Sequence, residues 1–466
     1  MKIMLVNPLI PKAFRMVEFA DEEGKKAMGR RIMVGPPLAL NELAGMVTEE
    51  DVIIMDQKTE NDIIENYDPI KAFKSELENF KPDIVGVTCI TAQFNSALKI
   101  LQVTKKYNKE ILTLVGGLHP TLCTEDFMNS DADLISIGIG KFSFKMIVEK
   151  FKKFGNKADF SDIPGLAINH GNVLEYTKLF CSFSYTEIKD KFILDTIMPN
   201  RKLTDKYDYI INDDLKIQYV STSSGCTHKC NFCSIWQTTY GRYFHKSVDV
   251  IIDELKTMDK YDVIRFCDAN TFGDLKKAKD LFTRIIEEGL NFHYYMADVR
   301  TDTVLNHPDI IELAQKAGLK IVVCGLEATS DEELKAYNKS NTVQNTSDAL
   351  KRLNDLGILV NGNYIVKPDY VQNDFERMAE FVVNNPIFHS GFTILTPFPG
   401  TELWEEMKDE VVIHNYDYYN LTNAVTKTLL PEREFYRYVE GLYKTSMKST
   451  GDYFRKYGRV YERKKQ

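Results

Sequence analysis

Cys226, Cys230 and Cys233 lie in one stretch, GCTHKCNFC, with the spacing C-x3-C-x2-C. Thiolates are soft ligands suited to zinc, copper(I) and iron–sulfur clusters. Three of them on one short loop can hold three irons of a [4Fe–4S] cluster. The fourth iron is then open to another ligand, much as a catalytic zinc keeps one position open. A single zinc ion would need a fourth ligand from the protein. His228 lies between the cysteines and His245 twelve residues beyond the last, and neither spacing fits a common zinc finger. The other five cysteines, Cys89, Cys123, Cys181, Cys267 and Cys324, are scattered. That distribution does not suit a disulfide scaffold and points to an intracellular chain.

Two sets of parallel strands are predicted to position this loop. In the first 155 residues, KIMLVNPLI, VIIMD, DIVGVTCIT, LTLVGG and LISIGIG alternate with helical stretches such as NSALKILQVTKKY. Such unbroken apolar runs suit strands covered on both faces, and five β–α steps imply a doubly wound, flavodoxin-like sheet. Residues 156–214 read as a linker with a small hairpin turning at His170-Gly171-Asn172. From residue 215 to 400 six further β–α units follow: KIQYVSTS, VIRFC, FHYYMAD, LKIVVCG, ILVNGNYIV and GFTILT, with helices between them. Six units are fewer than the eight of a closed barrel, so an open, partial (β/α)6 barrel is expected, followed by a helical region over 401–466. The cysteine loop comes just after the first strand of this second set.

Composition narrows the function. With 466 residues and 44% hydrophobic residues, the chain has material for two or three domains. A formal charge of −8 disfavours nucleic acid as a partner. No apolar run is long enough to span a bilayer, and MKIMLVNPLIP reads as a first strand rather than a signal peptide, so a cytoplasmic protein is expected.

SSGCTHKCNFCSIW resembles the cluster loop of the radical S-adenosylmethionine (SAM) superfamily. The resemblance implies that Cys226, Cys230 and Cys233 ligate a [4Fe–4S] cluster whose open iron chelates SAM. Reductive cleavage of SAM then gives a 5′-deoxyadenosyl radical that takes hydrogen from an unactivated carbon. An electron donor such as flavodoxin or ferredoxin is implied as a partner. RFCDANTFGD, CGLEATSDEELKAYNKSNT and LTPFPGTELW resemble later strand ends of the same barrel. By this resemblance Phe232, Asp268, Asn270, Arg300 and Glu327 hold SAM. For Arg300 the rival reading is a pairing with a neighbouring carboxylate, and for Glu327 an exposed surface position.

The first domain resembles the cobalamin-binding subclass, on NPLIP, GVTCITAQFNSAL, VGGLHPTLCTED and IPGLAI. That assigns Asn7, Thr88, Thr91, Gly116, Gly117, His119, Gly138 and Gly140 to cobalamin. Small residues at strand ends let a flat corrin approach the backbone. The sequence departs from the subclass after the fifth strand, where Ile139 and Lys141 in IGIGKFSF replace two carboxylates. The rival reading for this domain is a retained scaffold or docking module.

NGNYIVKPDYVQNDFERMAEFV and DYYNLTNAVTKTLLPEREFYRYVEGLYK resemble hopanoid C-3 methylases and related lipid-modifying members. Methyl transfer to a hydrophobic small molecule or lipid is thereby implied. Radical cyclisation or carbon–carbon coupling is the first alternative, and a metal-stabilised binding module the second. Residues 431–466 carry ten Lys or Arg against five Asp or Glu, interleaved with eight Phe or Tyr. Such a segment can lie on anionic lipid as a peripheral membrane contact. The preferred reading is a helix whose aromatic side packs on the barrel.

Overall fold

The computed structural model describes residues 1–28, 35–193, 196–211, 215–339 and 341–458. Tyr461, one of the eight aromatics of the C-terminal segment, and the boundary at 212–214 lie outside the described residues.

The first sheet contains β1 (Lys2–Asn7), β2 (Asp51–Asp56), β3 (Ile84–Thr88), β4 (Leu112–Gly116), β5 (Leu134–Ser136), β6 (Leu166–Asn169) and β7 (Leu174–Tyr176), in the order β2-β1-β3-β4-β5-β6-β7. Strands β1 to β5 are parallel and β6 and β7 antiparallel, so the hairpin extends this sheet. Side chains alternate between two cores: Met4, Val6, Val85 and Val115 face one, and Ile3, Leu5, Ile84 and Leu114 the other. Both faces are covered, which is why the strands read as continuous apolar runs. The order reverses at β1, which pairs with β2 on one side and β3 on the other. The carboxyl ends of β1 and β3 therefore flank a crevice of the kind that binds ligands in open α/β sheets.

The second sheet runs β16-β15-β14-β13-β12-β9-β8. It is built from β8 (Ile210–Ile211), β9 (Leu215–Val220), β12 (Val263–Phe266), β13 (Tyr294–Asp298), β14 (Leu319–Glu327), β15 (Leu359–Val366) and β16 (His389–Ile394), while β10 (Ser223–Gly225) and β11 (Tyr243–His245) form a separate ribbon. Six strands are parallel and β8 lies antiparallel on β9. Ile217, Val263, Met296, Ile321 and Leu359 point inward with Tyr207, Tyr209 and Tyr453, while Ile264, Phe266, Tyr295, Val322 and Val360 meet the helices outside. The sheet curls but stays open, as six β–α units require.

An open parallel sheet leaves its last strand with unpaired backbone groups. Here the helix Glu432–Tyr457 covers that edge. Tyr443 Oη donates to the Phe392 carbonyl at 2.6 Å and accepts from the Phe392 N–H at 3.3 Å. Ser446 Oγ does the same for Ser390, at 2.8 and 3.2 Å. Ser390 and Phe392 are two apart on β16, so their outward backbone groups share one edge. Phe435, Tyr436, Tyr443 and Tyr453 are buried, and Tyr438, Phe454 and Tyr457 pack alongside the cores. The aromatic side of the segment thus seals the barrel.

The passage between the sheets is tied to the first. Asp56, fully buried at the end of β2, accepts hydrogen bonds from Thr59 Oγ1, Asn7 Nδ2 and Tyr209 Oη at 2.7, 2.8 and 2.9 Å. Its backbone N–H donates to Tyr207 Oη at 3.0 Å.

Two outcomes follow. Tyr443→Phe strips β16 of a bidentate partner and is expected to cost about 1–3 kcal/mol, read from urea denaturation; an unchanged midpoint would show that the edge is satisfied otherwise. Asp298, at the end of β13, lies 3.1 Å from Arg265. Burial pushes its carboxyl up from 3.8 to about 6 despite that guanidinium. Between those values the folded chain keeps a proton that the unfolded chain has released. Stability from this group is therefore full below the window and falls as pH rises through it. Subtracting Asp298→Asn stability from wild type between pH 4 and 7 should expose that fall, and a pH-independent difference would contradict it.

Candidate functional site

Beyond β9 the chain must turn across the barrel mouth before it reaches the cysteines. Asp268, two residues beyond β12 and 5% exposed, fixes that turn. Its carboxylate accepts the backbone N–H of Thr222 at 2.8 Å, that of Ser223 at 2.9 Å, and the Thr222 hydroxyl. Burial pushes its pKa up, against the pull of these donors. Gly225 then takes φ +83°, where a Cβ would lie 2.1 Å from the Arg242 carbonyl oxygen. Only glycine meets both conditions.

The cysteine loop is braced on several sides. Trp236 Nε1 donates to the Cys230 carbonyl at 3.1 Å, Asn338 Nδ2 to the Lys229 carbonyl at 3.1 Å, and the Leu403 N–H to the Asn231 carbonyl at 3.1 Å. All three thiols are free and half-buried. Burial pushes the Cys233 thiol up to about 11 and raises Cys230 as well, against Lys339 and Arg300. Thiolates in such surroundings call for a cationic partner. Among the described residues one group of three ligating side chains gathers within 4.8 Å, and it is not this loop. Thiolates on one zinc would crowd that closely, whereas those of a cluster bind separate irons. The three-cysteine set fits a [4Fe–4S] cluster.

Around the loop stand the residues assigned to SAM. Glu327 ends β14 with φ +63°, a left-handed conformation costing a glutamate about 1–3 kcal/mol. Lys339 Nζ meets its carboxylate at 2.7 Å. Arg300 grips Asp302 through Nε at 3.0 and 3.2 Å and Nη2 at 2.8 Å, which is the neighbouring-carboxylate pairing. Lys339, Arg300 and Glu327 all act electrostatically on Cys230, so these three charges share one neighbourhood with the cysteines. Phe232 instead packs edge-on against Tyr337, with centroids 5.4 Å apart. Asn270 accepts the Phe272 N–H at 3.3 Å within its own turn. Asp268 and Asn270 thus shape the mouth, while Glu327, Lys339 and Arg300 offer it charge.

The first domain brings its own strand ends to this mouth. A cavity of about 230 Å³ is lined by Gly138, Ile139, Gly140, Lys141, Phe192 and Ile193 on one side and by Ser224, Gly225, Thr238 and Thr239 on the other. Gly138 has φ +79° and comes within 3.3 Å, measured to an added Cβ, of the Thr238 carbonyl oxygen. Gly117 has φ +116°, and a Cβ there would press on the Cys89 carbonyl oxygen at 2.8 Å; one on Gly116 would reach Ser136 at 3.3 Å. Gly116 and Gly117 thus make room for the chain's own Ser136 and Cys89, while Gly138 and Gly140 leave one wall of the cavity as backbone, which fits the edge of a flat ring such as a corrin. Asn7 is held by Asp56 and by Gln93 Nε2 at 2.9 Å, with Thr91 buried beside Gln93 and Thr88 half-buried at the end of β3. His119 is buried against Phe94, Phe127 and Tyr416, with Nε2 3.2 Å from Asp126.

Lys141, where the subclass carries acid, pairs at 2.8 Å with Glu42. Lys246, just beyond β11, approaches the same carboxylate at 3.7 Å and Glu254 at 3.5 Å. Burial pushes Glu42 up, yet the two ammonium groups hold it below the ordinary carboxylate value. Glu42 and Lys246 escaped sequence reasoning because neither lies in a motif, and Lys339 because in CGLEATSDEELKAYNKSNT only Glu327 was assigned a role. The leucine-rich pattern around Glu42 announces a helix, and only the fold shows that it aims a carboxylate inward.

The Radical SAM superfamily profile matches residues 220–382, and the B12 binding domain profile matches residues 24–146. An uncharacterized methyltransferase of Pyrococcus horikoshii is 30% identical over 415 residues, covering 87% of this chain and 83% of that one. The hopanoid C-3 methylase of Methylococcus capsulatus is 26% identical, covering 78% and 68%. An anaerobic magnesium-protoporphyrin IX monomethyl ester cyclase of Rubrivivax gelatinosus is also 26% identical, covering 84% and 70%. A radical S-adenosylmethionine methyltransferase of Kitasatospora setae, solved with cobalamin and a [4Fe-4S] cluster, shares the fold at TM-score 0.65 and 16% identity, covering 94% and 84%. With the three-cysteine loop at the mouth of a partial barrel and a glycine-lined sheet edge against it, the chain belongs to the cobalamin-dependent radical SAM methyltransferase family, whose cofactors are a [4Fe–4S] cluster, SAM and cobalamin.

Proposed function

We propose that the protein moves a methyl group from SAM to an unactivated carbon of a hydrophobic small molecule or lipid. The observation that carries this reading is the shared cavity, with the glycine turn after β5 on one wall and Ser224-Gly225, next to Cys226, on the other. When bound, the cluster supplies the electron that cleaves SAM, and the corrin carries the methyl group. The chain's own residues do the rest. Asp268 holds the cluster loop in register through Thr222 and Ser223. The Glu327–Lys339 pair and the Arg300–Asp302 pair stand beside the cysteine loop and set the charge of the place where SAM would lie. Ile139, Phe192 and Ile193 give the cavity an apolar wall, which protects a reactive carbon radical from water. A cytoplasmic setting and an electron donor such as flavodoxin or ferredoxin belong to this reading. No described helix is long and apolar enough to cross a membrane.

A second reading keeps the radical and drops the methyl transfer, so that the substrate cyclises or couples. The lysine in the turn after β5 and the cyclase among the relatives favour it.

Anaerobic incubation with methyl-labelled SAM and a lipid extract separates the two. Label in a lipid product is expected; 5′-deoxyadenosine with an unlabelled product would transfer the case to the second reading. A corrin absorbance that travels with the protein through gel filtration is expected, and a colourless protein would count against methyl transfer. Cys230→Ala should retain no full cubane and lower 5′-deoxyadenosine formation to background. Asp268→Asn keeps all three ligands, yet should lose about 1–3 kcal/mol of stability and part of the iron and sulfide. Full cluster content in that variant would show that the loop stands without its anchor.

A further inference from the structure

One cluster of chemistry-bearing side chains lies outside the barrel mouth. His119 lies in the helix Leu118–Leu122, Cys123 directly follows that helix, and Asp126 lies in the next turn, Thr124–Phe127. The Cys123 N–H closes the last turn on the His119 carbonyl at 2.8 Å, which keeps the two residues together. One ligand atom from each, an imidazole nitrogen, Sγ and a carboxylate oxygen, lies within 4.8 Å of the other two. His119 Nε2 and Asp126 Oδ2 are 3.2 Å apart, yet among the described residues neither His119 ring nitrogen nor Asp126 Oδ2 has a hydrogen-bond partner. The His119 side chain has no exposed surface. A buried polar ring without a partner needs a reason. Two ligands at zinc-like distances on a tetrahedral ion stand about 3.3 Å apart, which is the separation seen, reached without an aligned N–H.

We propose that His119, Cys123 and Asp126 form a second metal site, for a divalent transition ion such as zinc. A nitrogen, sulfur and oxygen set suits a borderline ion rather than calcium or magnesium. An entry path exists: an open cleft of about 480 Å³, lined by Phe94, Asn95, Asp126, His414, Asn415 and Tyr416, leads to Asp126. The same place is a junction. Tyr416 stacks edge-on over His119 at 5.1 Å, Asn95 Nδ2 bonds Asn415 and Asp417, and a Cβ on Gly400 would touch Leu122 at 2.8 Å. An ion here pins the loop after β4 under the segment that follows the last barrel strand. Its role is to hold the two domains in one relation.

The test uses full-length protein already carrying its iron–sulfur cluster, so that Cys226, Cys230 and Cys233 are occupied. Zinc is added, excess is removed by gel filtration, and the metal is counted; cobalt(II) replaces zinc in a parallel sample. About one zinc per chain is expected, with a thiolate-to-cobalt absorption band, and both should disappear in Cys123→Ser and in Asp126→Asn. Zinc should also raise the midpoint of thermal unfolding in wild type and not in the variants. Absence of bound zinc, or full zinc retained by either variant, overturns the site. If one variant fails to fold, the cobalt–thiolate band of the wild type decides alone: its absence overturns the proposal.

Discussion

The barrel mouth depends on one carboxylate taken out of water. Among the described residues Asp268 pairs with no cation; its stabilisation comes from two backbone N–H groups and a hydroxyl, all supplied by Thr222 and Ser223. Removing those donors would leave a buried charge uncompensated, so the carboxylate and the turn hold each other in place. That mutual dependence fixes where Gly225 reverses the chain, and Gly225 fixes where Cys226 begins. A three-cysteine loop has no regular secondary structure to position it. It needs such anchors, and Trp236, Asn338 and Leu403 bond its carbonyls to complete them.

The same anchor reaches the other domain. The Lys246 N–H donates to the Thr222 carbonyl at 2.7 Å, and the Lys246 ammonium lies between Glu42 and Glu254. Arg201 closes the group on Glu254 and also donates to the Tyr219 carbonyl at 2.7 Å. A line of contacts thus runs from the turn after β5, through Lys141, Glu42 and Lys246, to the turn that presents the cysteines. Charges buried this deeply give little net stability, because desolvation cancels much of the attraction. Breaking one partner is costly, however, and that makes them good at enforcing a single relative placement. The change at Lys141 is therefore not an isolated loss of acid: the carboxylate facing the turn comes from Glu42, on a different element.

Much of this was legible in the sequence. All eleven main strand runs appear where apolar continuity placed them, because a strand covered on both faces has no other way to be encoded. The cysteine spacing was legible because a metal set is local. The roles of Asp268 and Asn270 were less so: position at a strand end announces proximity to the mouth, but only the folded backbone shows that their oxygens are taken by neighbouring N–H groups. Arg300 illustrates the reverse case, since a carboxylate two residues away in the sequence, Asp302, is the partner the structure gives it. His119 lies in a stretch read for its resemblance to a corrin edge, and its burial under Phe94 and Tyr416 depends on a segment almost 300 residues later.

The C-terminal helix shows why an aromatic, basic stripe could not be assigned from its pattern. A lipid surface and an open sheet edge both reward tyrosine, whose ring is apolar and whose hydroxyl bonds. The edge imposes a further requirement that a membrane does not: hydroxyls at the pitch of alternate strand residues. Tyr443 and Ser446, three apart on the helix, meet Phe392 and Ser390, two apart on β16. The two spacings are commensurate, about 4.5 Å along a helix against about 6.6 Å along a strand, once the helix crosses at an angle. With those rings committed inward, the stripe is spent on the sheet edge and on the barrel's cores.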